Sequence, residues 1–350
     1  PCSCLLCVLP HPHTACASAC RAHTLTPVHT AGFHWCLGHG THVDEKYPRM
    51  LRSLRNKGII QMAAGGQHVA ALSSSGQVFT WGVGMYGRLG HASMQDSTRP
   101  MLMDVTKKDC QAAQVACGHM HSAFVTTQGE VWCWGMGLYG ELGLDDRYDH
   151  WLPQQVSELK GLYVTHVACG EHFTLACTGA GASYSWGRGK YGCLGLGDRE
   201  DRLKPVQLRA LSRVRVVRVI AGKSNPLALS DDGKLYSWGR GKFGAHGHGH
   251  SSHVLAPRKL PLPEDRIVVD MDCGRHHCAM LTIKGEVWCW GGGQGFALGN
   301  GKEEDSGVPI RVESIRKFVI IQVACGGNRT AAVARGGNLY MWGGGTTVSD

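Results

Sequence analysis

The side chains with the greatest capacity for chemistry in this 350-residue chain are four histidines in one short segment. A mobile loop that gathered their imidazole nitrogens would bind a transition metal. The alternative, which we favour, is a polar loop between two strands, and we predict no bound cofactor. The candidate metal ligands are His246, His248, His250 and His253.

Residues 1–36 hold a second group of potential metal ligands, five cysteines interspersed with histidines. Their spacing matches no standard zinc module. We therefore expect this segment to be disordered or to be a degenerate leader. The five are Cys2, Cys4, Cys7, Cys16 and Cys20.

Other cysteines and histidines recur at equivalent positions along the chain. Four cysteines share one apolar position, which predicts packed, reduced thiols rather than a disulfide framework. Because residues 1–36 also lack the basic start and apolar run of a signal peptide, we expect an intracellular protein, cytoplasmic or nuclear. Three histidines share another position, where phenylalanine, asparagine or arginine stands elsewhere, so we predict a structural hydrogen-bonding role. These residues are Cys117, Cys169, Cys273 and Cys325, and His68, His121 and His277.

Glycine patterns resembling nucleotide sites are present but lack the required context. Gly82-x-Gly84-x-x-Gly87 fits the dinucleotide fingerprint and has three further copies. Three of the four lead to a Leu-Gly turn and the fourth to the equivalent His246-Gly247, rather than to a helix. Gly222-Lys223-Ser224 lacks the first glycine of a phosphate-binding loop, since Val217 stands there. The serine-hydrolase and zinc-protease signatures are absent from the sequence, so we predict a non-catalytic protein.

The glycines belong to an internal repeat of about 52 residues. Leu-Gly-type glycines recur at Gly38, Gly90, Gly143, Gly195, Gly247 and Gly299, and a proline follows each of them by ten residues. Further along every repeat come a second glycine and then a Trp-Gly pair. The recurrent residues are Gly65, Gly118, Gly170, Gly222, Gly274 and Gly326, followed by Trp81, Trp134, Trp186, Trp238, Trp290 and Trp342.

Each repeat predicts four short strands. His68–Ser73 and Gln77–Gly82 flank a turn ending in Gly76, which reads as a hairpin, and two apolar segments such as Pro100–Val105 and Ala112–Cys117 follow. Four strands per repeat indicate an all-β propeller blade. Because a blade cannot bury both faces alone, we expect the tryptophans to fill the space between blades.

The residue pattern resembles the repeat of the regulator of chromosome condensation family. The resemblance rests on Ala116–His121, Gly129–Gly135 and Tyr139–Gly143, and it covers residues 37–345. The family usually closes seven blades; here five complete repeats and two half repeats imply six to seven. We expect residues 346–350 to form a tail, and the start at Pro1 rather than Met to indicate a fragment.

Ring closure has one evident route in the sequence. The last repeat stops at Trp342-Gly343, and the N-terminal half repeat at Leu37–Lys57 supplies the segments that the last repeat lacks. One hypothesis is therefore that this half repeat completes the last blade.

The resemblance implies several functions, of which we favour a protein-interaction platform. Variable loops follow the Leu-Gly turns at residues 145–150, 198–204, 246–253 and 302–307. The alternatives are guanine-nucleotide exchange on a small GTPase and regulation of chromatin. The near-constant repeat length leaves no room for the inserted wedge used in exchange, and the light-sensing Gly-Trp-Arg-His-Thr signature is absent.

The net charge of +9 favours acidic partners but does not by itself indicate nucleic acid. The basic tail of chromatin-binding relatives is missing, because residues 1–36 contain only Arg21. The densest basic stretch runs from Arg202 to Arg218, and we predict Arg213–Val216 to be an outer strand with a solvated face rather than a nucleic-acid patch. No apolar run is long enough for membrane insertion.

Overall fold

The fold is a β-propeller ring of six blades, seen in a computed structural model that describes residues 23–25, 35–43, 45, 47–104, 110–263 and 265–344. Five blades have four antiparallel strands, and the sixth has three in the described part of the chain. The all-β propeller and its repeat are therefore confirmed, with blade boundaries set by the repeat period.

The strands follow one another outwards from the ring axis within each blade. Blade I contains β2 (Ile59–Ala64), β3 (His68–Ser73), β4 (Val78–Gly82) and β5 (Ser97–Leu102). Blade II contains β6 (Ala112–Cys117), β7 (His121–Thr126), β8 (Val131–Gly135) and β9 (His150–Gln155). Blade III contains β10 (Val164–Cys169), β11 (Phe173–Thr178), β12 (Ser183–Gly187) and β13 (Arg202–Gln207).

The second half of the ring repeats this arrangement. Blade IV contains β14 (Val216–Ala221), β15 (Pro226–Ser230), β16 (Leu235–Gly239) and β17 (Val254–Lys259). Blade V contains β18 (Val268–Cys273), β19 (His277–Thr282), β20 (Val287–Gly291) and β21 (Ser306–Arg311). Blade VI contains β22 (Ile320–Gly326), β23 (Arg329–Ala334) and β24 (Leu339–Gly343).

Short 3-10 helices occupy the connections between strands. They are Trp35–Leu37, Arg52–Leu54, Met85–Gly87, Ser157–Leu159, Lys190–Gly192, Arg209–Leu211, Lys242–Gly244, Gln294–Phe296 and Glu313–Ile315.

Two glycines show why the repeat keeps this residue. Gly76 closes the hairpin between β3 and β4 with a φ of 79°, a left-handed conformation that costs other residues roughly 1–2 kcal/mol. Gly118 ends β6 where the next blade approaches, and a Cβ added there would lie 2.6 Å from the carbonyl oxygen of Gly170. The second glycine position therefore permits close packing of successive blades.

The hydrophobic core lies between blades, as the repeat predicts. One cluster joins Leu72 of blade I to Val115, Phe124 and Trp134 of blade II, and similar clusters join each later blade to the next as far as blade VI. Five of the six repeat tryptophans are fully buried, and Trp342 in the last blade is partly buried.

Each tryptophan also donates a hydrogen bond to the preceding unit. The acceptor is always the carbonyl of the residue two positions before the Leu-Gly-type glycine, at 2.8–3.0 Å. This tie satisfies the buried indole nitrogen and sets the spacing between blades. The pairs are Trp81 with Cys36, Trp134 with Arg88, Trp186 with Glu141, Trp238 with Cys193, Trp290 with Ala245 and Trp342 with Ala297.

The first and last blades are joined by a strand that the sequence did not predict. Strand β1 (His23–Leu25) pairs in parallel with β2 and with β22, so both blades belong to one eight-stranded sheet. The expectation of a disordered or degenerate leader concerns residues 1–36, of which 1–22 and 26–34 lie outside the described part of the chain.

The N-terminal half repeat packs against blade I. Cys36 accepts the bond from Trp81, and Leu51 and Leu54 join the cluster that surrounds this tryptophan. Within the described residues, no strand pairs with the outer edge of β24. In the described residues, Leu37–Lys57 contributes no strand to the last blade, so the hypothesis that it completes this blade is not supported.

The third strand of blade VI is consequently more exposed than its equivalents. Leu339 and Met341 are 38% and 48% exposed, whereas Val287 and Cys289 at the same positions of blade V are 2% and 0% exposed. The last blade thus has the thinnest cover in the described ring.

One local prediction was wrong. Residues 213–215 form a turn, and β14 begins at Val216 as the innermost strand of its blade rather than an outer one. Arg218 is buried there and forms a salt bridge with Asp270 of the next blade. Arg213 and Arg215 are exposed in that turn, so their side chains are solvated as predicted although the segment is not a strand.

Candidate interaction face

The loop after each second glycine crosses to the neighbouring blade at one end of the ring. The backbone amide of His119 donates to the Gly170 carbonyl at 3.2 Å, and the amide of Glu171 donates to the Lys223 carbonyl at 3.3 Å. Equivalent bonds join Gly66 of blade I to Gly118 of blade II and Arg275 of blade V to Gly327 of blade VI, so these loops form a platform held by backbone hydrogen bonds.

The loop after each Trp-Gly pair lies beside this platform. The amide of Arg188 donates to the His172 carbonyl at 2.8 Å, and the amide of Arg240 donates to the Ser224 carbonyl at 3.0 Å. We call the surface formed by both sets of loops the upper face. Its residues are His119, Tyr139, Glu171, His172, Arg188, Lys190, Tyr191, Lys223, Arg240, Lys242, Phe243, Arg275 and His276.

Cations and aromatic rings alternate across the upper face. The guanidinium of Arg188 lies 4.3 Å from the Tyr139 ring centre, and that of Arg240 lies 4.7 Å from the Tyr191 ring centre. Each arginine comes from the blade after the one that carries its ring. Stacking of this kind holds the cations in place while leaving their polar edges free for a ligand.

Two of the aromatic residues adopt a strained backbone conformation. Tyr191 has a φ of 66° and Phe243 a φ of 62°, in the left-handed region that large side chains rarely enter. Blade V has Gly295 at the same position, with a φ of 63°. Strain of this kind persists where the rest of the fold enforces it, and it occurs most often at functional surfaces.

A hollow of about 430 Å³ opens between blades II, III and IV on the upper face. Two of the predicted variable loops contribute Arg199, Asp201 and His253 to its wall. The remaining lining residues are Tyr139, Arg188, Lys190 and Tyr191.

The variable loops also buttress the upper face. The carboxylate of Asp201 accepts a bond from the Gly189 amide at 2.9 Å, and aspartates at 96, 149 and 305 do the same in their blades. His253 replaces the aspartate in blade IV, where its Nδ1 accepts from the Gly241 amide at 3.1 Å.

The other members of the histidine-rich segment have hydrogen-bond partners of their own. His246 Nε2 lies 2.9 Å from the Ser252 carbonyl oxygen, and His248 Nε2 lies 2.9 Å from the Ser237 hydroxyl. His250 Nδ1 lies 2.8 Å from the Ser252 hydroxyl. These contacts describe an ordered polar loop, while metal binding by the segment stays untested.

The three repeated histidines join neighbouring blades. Their Nε2 atoms lie 2.7–2.9 Å from a hydroxyl of the next blade, the pairs being His68 with Ser122, His121 with Thr174 and His277 with Thr330. All three are buried, and burial lowers the pKa of His121 to about 3 and that of His277 to about 4. The predicted structural role of these histidines is confirmed.

The repeated cysteines are buried free thiols. Burial raises the pKa of Cys117 to about 12, so the thiol stays protonated and unreactive at neutral pH. The prediction that these cysteines pack as small hydrophobic side chains is confirmed.

Sequence reasoning missed a cluster of titratable groups on the upper face. His119, Glu171 and His172 lie together, and Glu141 is fully buried with Oε1 3.7 Å from His172 Nδ1. Burial lowers the pKa of His119 to about 4, with Glu171 opposing and His172 adding to the effect. The signal was present in the sequence, because these residues follow consecutive second glycines, one repeat apart.

Together, the ring of four-stranded blades, the tryptophan ties and the loop platform define a β-propeller of sequence repeats. A family model described as the RCC1-like domain matches residues 30–269, and models of the regulator of chromosome condensation (RCC1) repeat match residues 268–294 and 284–333. The chain belongs to this RCC1-like family.

Named relatives include a plant photoreceptor and a human ligase. The chain is 35% identical over 311 residues to the ultraviolet-B receptor UVR8 of Arabidopsis thaliana, covering 89% of this chain and 70% of the relative. It is also 35% identical to the E3 ubiquitin-protein ligase HERC2 of Homo sapiens, over 85% of this chain but only 6% of the ligase.

Solved structures share the fold. Human WBSCR16 superposes with a TM-score of 0.72 at 29% identity, covering 79% of this chain and 72% of that structure. Yeast RCC1 (Prp20), solved with Kap60, gives a TM-score of 0.78 at 24% identity, covering 97% and 85%. In the part of the chain that the structure describes, no helix is long and apolar enough to cross a membrane.

Proposed function

We propose that the chain is a non-catalytic protein-interaction platform whose upper face binds an acidic surface of a partner protein. The observation that carries this proposal is the ordered alternation of cations and aromatic rings from blade II to blade IV. Six lysine and arginine side chains on the upper face, with Arg199 in the wall of the hollow, stand against the half-buried carboxylates of Glu171 and Asp201. A partner with clustered carboxylates complements that charge.

The rigidity of the platform supports this role. The amides of Arg188 and Arg240 bond to the adjacent loop of the same blade, and the amide of Arg275 bonds to the next blade. Because these loops are held in place, little conformational entropy is lost when a partner binds. Arginines stacked on tyrosines are the residue types that dominate binding energy at protein interfaces. Eleven free cysteines in the described residues favour a reducing compartment, and we place the interaction in the cytoplasm or nucleus.

The test compares charge reversals at the two ends of the ring. Arg188→Glu with Arg240→Glu removes two stacked cations of the upper face. Arg209→Glu with Arg213→Glu changes the same charge on exposed residues outside the upper face and serves as the matched control. Both variants and the wild-type chain are used as bait in cell lysate, with chemical crosslinking of the captured proteins.

The proposal predicts a partner that crosslinks to upper-face residues of the wild type and the control but is lost from the upper-face variant. Salt should weaken that capture, because the contacts are between exposed charges. Equal capture by all three baits would overturn the assignment of the face.

Two further arms of the same experiment address the alternatives. Prp20p, a structural relative, has been studied for its binding to Gsp1p and histones. A panel of nucleotide-free small GTPases and a preparation of nucleosomes are therefore offered to each bait. Selective retention of a nucleotide-free GTPase would favour exchange activity over a passive platform.

A further inference from the structure

His119, Glu171 and His172 form a cluster of metal-ligating side chains on the upper face. Each offers one ligand atom, and the three atoms lie within 4.8 Å of one another, the one group of this kind in the described residues. His119 comes from the loop of blade II, and the other two come from the loop of blade III. The cluster therefore spans a blade boundary that backbone bonds hold fixed.

A buried nitrogen atom without a partner points to a missing ligand. The Nδ1 atom of His119 is buried and makes no hydrogen bond. Nδ1 of His172 and Oε1 of Glu141 also make no hydrogen bond, but they lie 3.7 Å apart and face each other. Burying a polar atom without a partner is costly, and a bound cation would satisfy the lone pair of His119 Nδ1.

We propose that His119, Glu171 and His172 bind one divalent transition metal ion of the Zn²⁺ class. Two imidazoles and one carboxylate are a ligand set that Zn²⁺ favours, and a fourth position stays open for water or a partner side chain. Glu141 acts as a positioning residue, since its carboxylate lies 3.7 Å from His172 Nδ1. A proton on that nitrogen leaves Nε2 of His172 with a free lone pair.

Two features set how tightly the site binds. Tetrahedral Zn²⁺ with bonds of about 2.1 Å holds its ligands roughly 3.4 Å apart. The ligand atoms, which lie within 4.8 Å of one another, must therefore approach by up to about 1.4 Å. Lys223 lies with its ammonium nitrogen 3.3 Å from Glu171 Oε1 and competes with the metal for this carboxylate.

The first experiment titrates the full, metal-stripped chain with Zn²⁺ by calorimetry. We expect one site that weakens at least tenfold in His119→Gln and about a hundredfold when His172→Gln is added. The matched control is His276→Gln, because His276 occupies the repeat position of His172 and packs on Phe243 in the same way that His172 packs on Tyr139. That variant should bind Zn²⁺ as the wild type does.

A second variant keeps the proposal testable if the histidine variants fold poorly. Lys223→Met removes the competing ammonium without touching a proposed ligand, so Zn²⁺ affinity should rise several-fold. Glu141→Gln should lower the affinity about tenfold, as loss of a histidine-orienting carboxylate does at other metal sites.

Titration with Co²⁺ identifies the ligands. A histidine and carboxylate site gives visible bands without thiolate charge transfer, which separates it from any site built on cysteines near the N-terminus. Unchanged Zn²⁺ affinity in the double variant, or loss of the Co²⁺ bands in a variant lacking His246, His248 and His250 instead, would overturn the proposal. These measurements involve no partner, so their outcome is independent of the proposed function.

Discussion

His121 Nε2 lies 2.9 Å from the Thr174 hydroxyl oxygen, and this contact joins blade II to blade III. The hydroxyl donates its own proton to the Glu141 carbonyl at 2.7 Å, so the imidazole donates through Nε2. The same carbonyl accepts the Trp186 indole at 3.0 Å. The backbone oxygen of Glu141 thus accepts hydrogen bonds from both the Thr174 hydroxyl and the Trp186 indole, and His121 donates to that same hydroxyl.

This chain of bonds predicts energetic coupling across the blade boundary. His121→Phe removes one buried hydrogen bond and should lower the free energy of unfolding by about 1–2 kcal/mol. Thr174→Val removes two and should lower it by about 2–3 kcal/mol. Phenylalanine already stands at this position in blade III, as Phe173, so the size is tolerated. The double variant should lose about 1 kcal/mol less than the sum. Urea unfolding of the wild type, the two single variants and the double variant measures these free energies. Strictly additive losses would contradict the coupling.

The buried histidines predict a fall in stability with acidification. Burial lowers the pKa of His121 to about 3, and the nearby His172 and His119 add to the effect. The unfolded chain, with a histidine pKa near 6.5, therefore binds more protons between pH 3 and 6.5, and folding is progressively disfavoured as the pH falls through that range.

The contribution of His121 alone should be about 2 kcal/mol between pH 7 and pH 5. His121→Phe should therefore lose less stability over this interval than the wild type does. Urea unfolding at both pH values gives the comparison, and identical losses would show that His121 titrates normally.

The tryptophan ties predict a gradient along the ring. Trp238→Phe removes a fully buried indole and its 2.9 Å bond to the Cys193 carbonyl, which should cost about 1–3 kcal/mol. Trp342→Phe in the partly exposed last blade should cost about 1 kcal/mol or less. Thermal unfolding of the two variants compares their losses of stability. A larger loss in Trp342→Phe than in Trp238→Phe would show that Trp342 is well buried in solution.

The buried pair Arg218 and Asp270 predicts an asymmetric response to mutation. Asp270→Ala leaves a buried guanidinium without its carboxylate and should cost about 3–5 kcal/mol. Blades I and II place a glutamine at this position, and Gln61 bonds to the amide and carbonyl of Val115 in the next blade. Arg218→Gln with Asp270→Gln should therefore lie within about 1 kcal/mol of the wild type. Chemical unfolding measures the free energy of unfolding of each variant, and a double variant as unstable as Asp270→Ala would contradict the predicted rescue.

The strained aromatics predict a separation of stability from binding. Phe243→Gly relieves a left-handed conformation worth about 1 kcal/mol, which offsets the lost contact with His276. Stability should change by less than about 1 kcal/mol, while partner capture by the upper face weakens. Phe243→Ala keeps the strain and loses the ring, so it should be the less stable of the two.

The sequence determined the architecture because the same residue types recur at the same spacing in every repeat, and each recurrence requires the same packing. The spacing of Trp81, Trp134 and their equivalents, with the turn glycines between them, predicted four strands per unit and tryptophans between blades. Each such prediction needs only local periodicity and a residue type that matches it. The structural role of His121 followed in the same way, from its recurrence.

Only the tertiary structure decided which of the residues that vary from repeat to repeat come into contact. Arg218 and Asp270, or His119 and His172, stand about one repeat apart and touch because neighbouring blades bring equivalent loops and strands together. Strand β1 between the first and last blades is likewise a long-range pairing. Local periodicity encodes the blade, whereas the charge and chemistry of its surface depend on contacts across blades that the period alone does not specify.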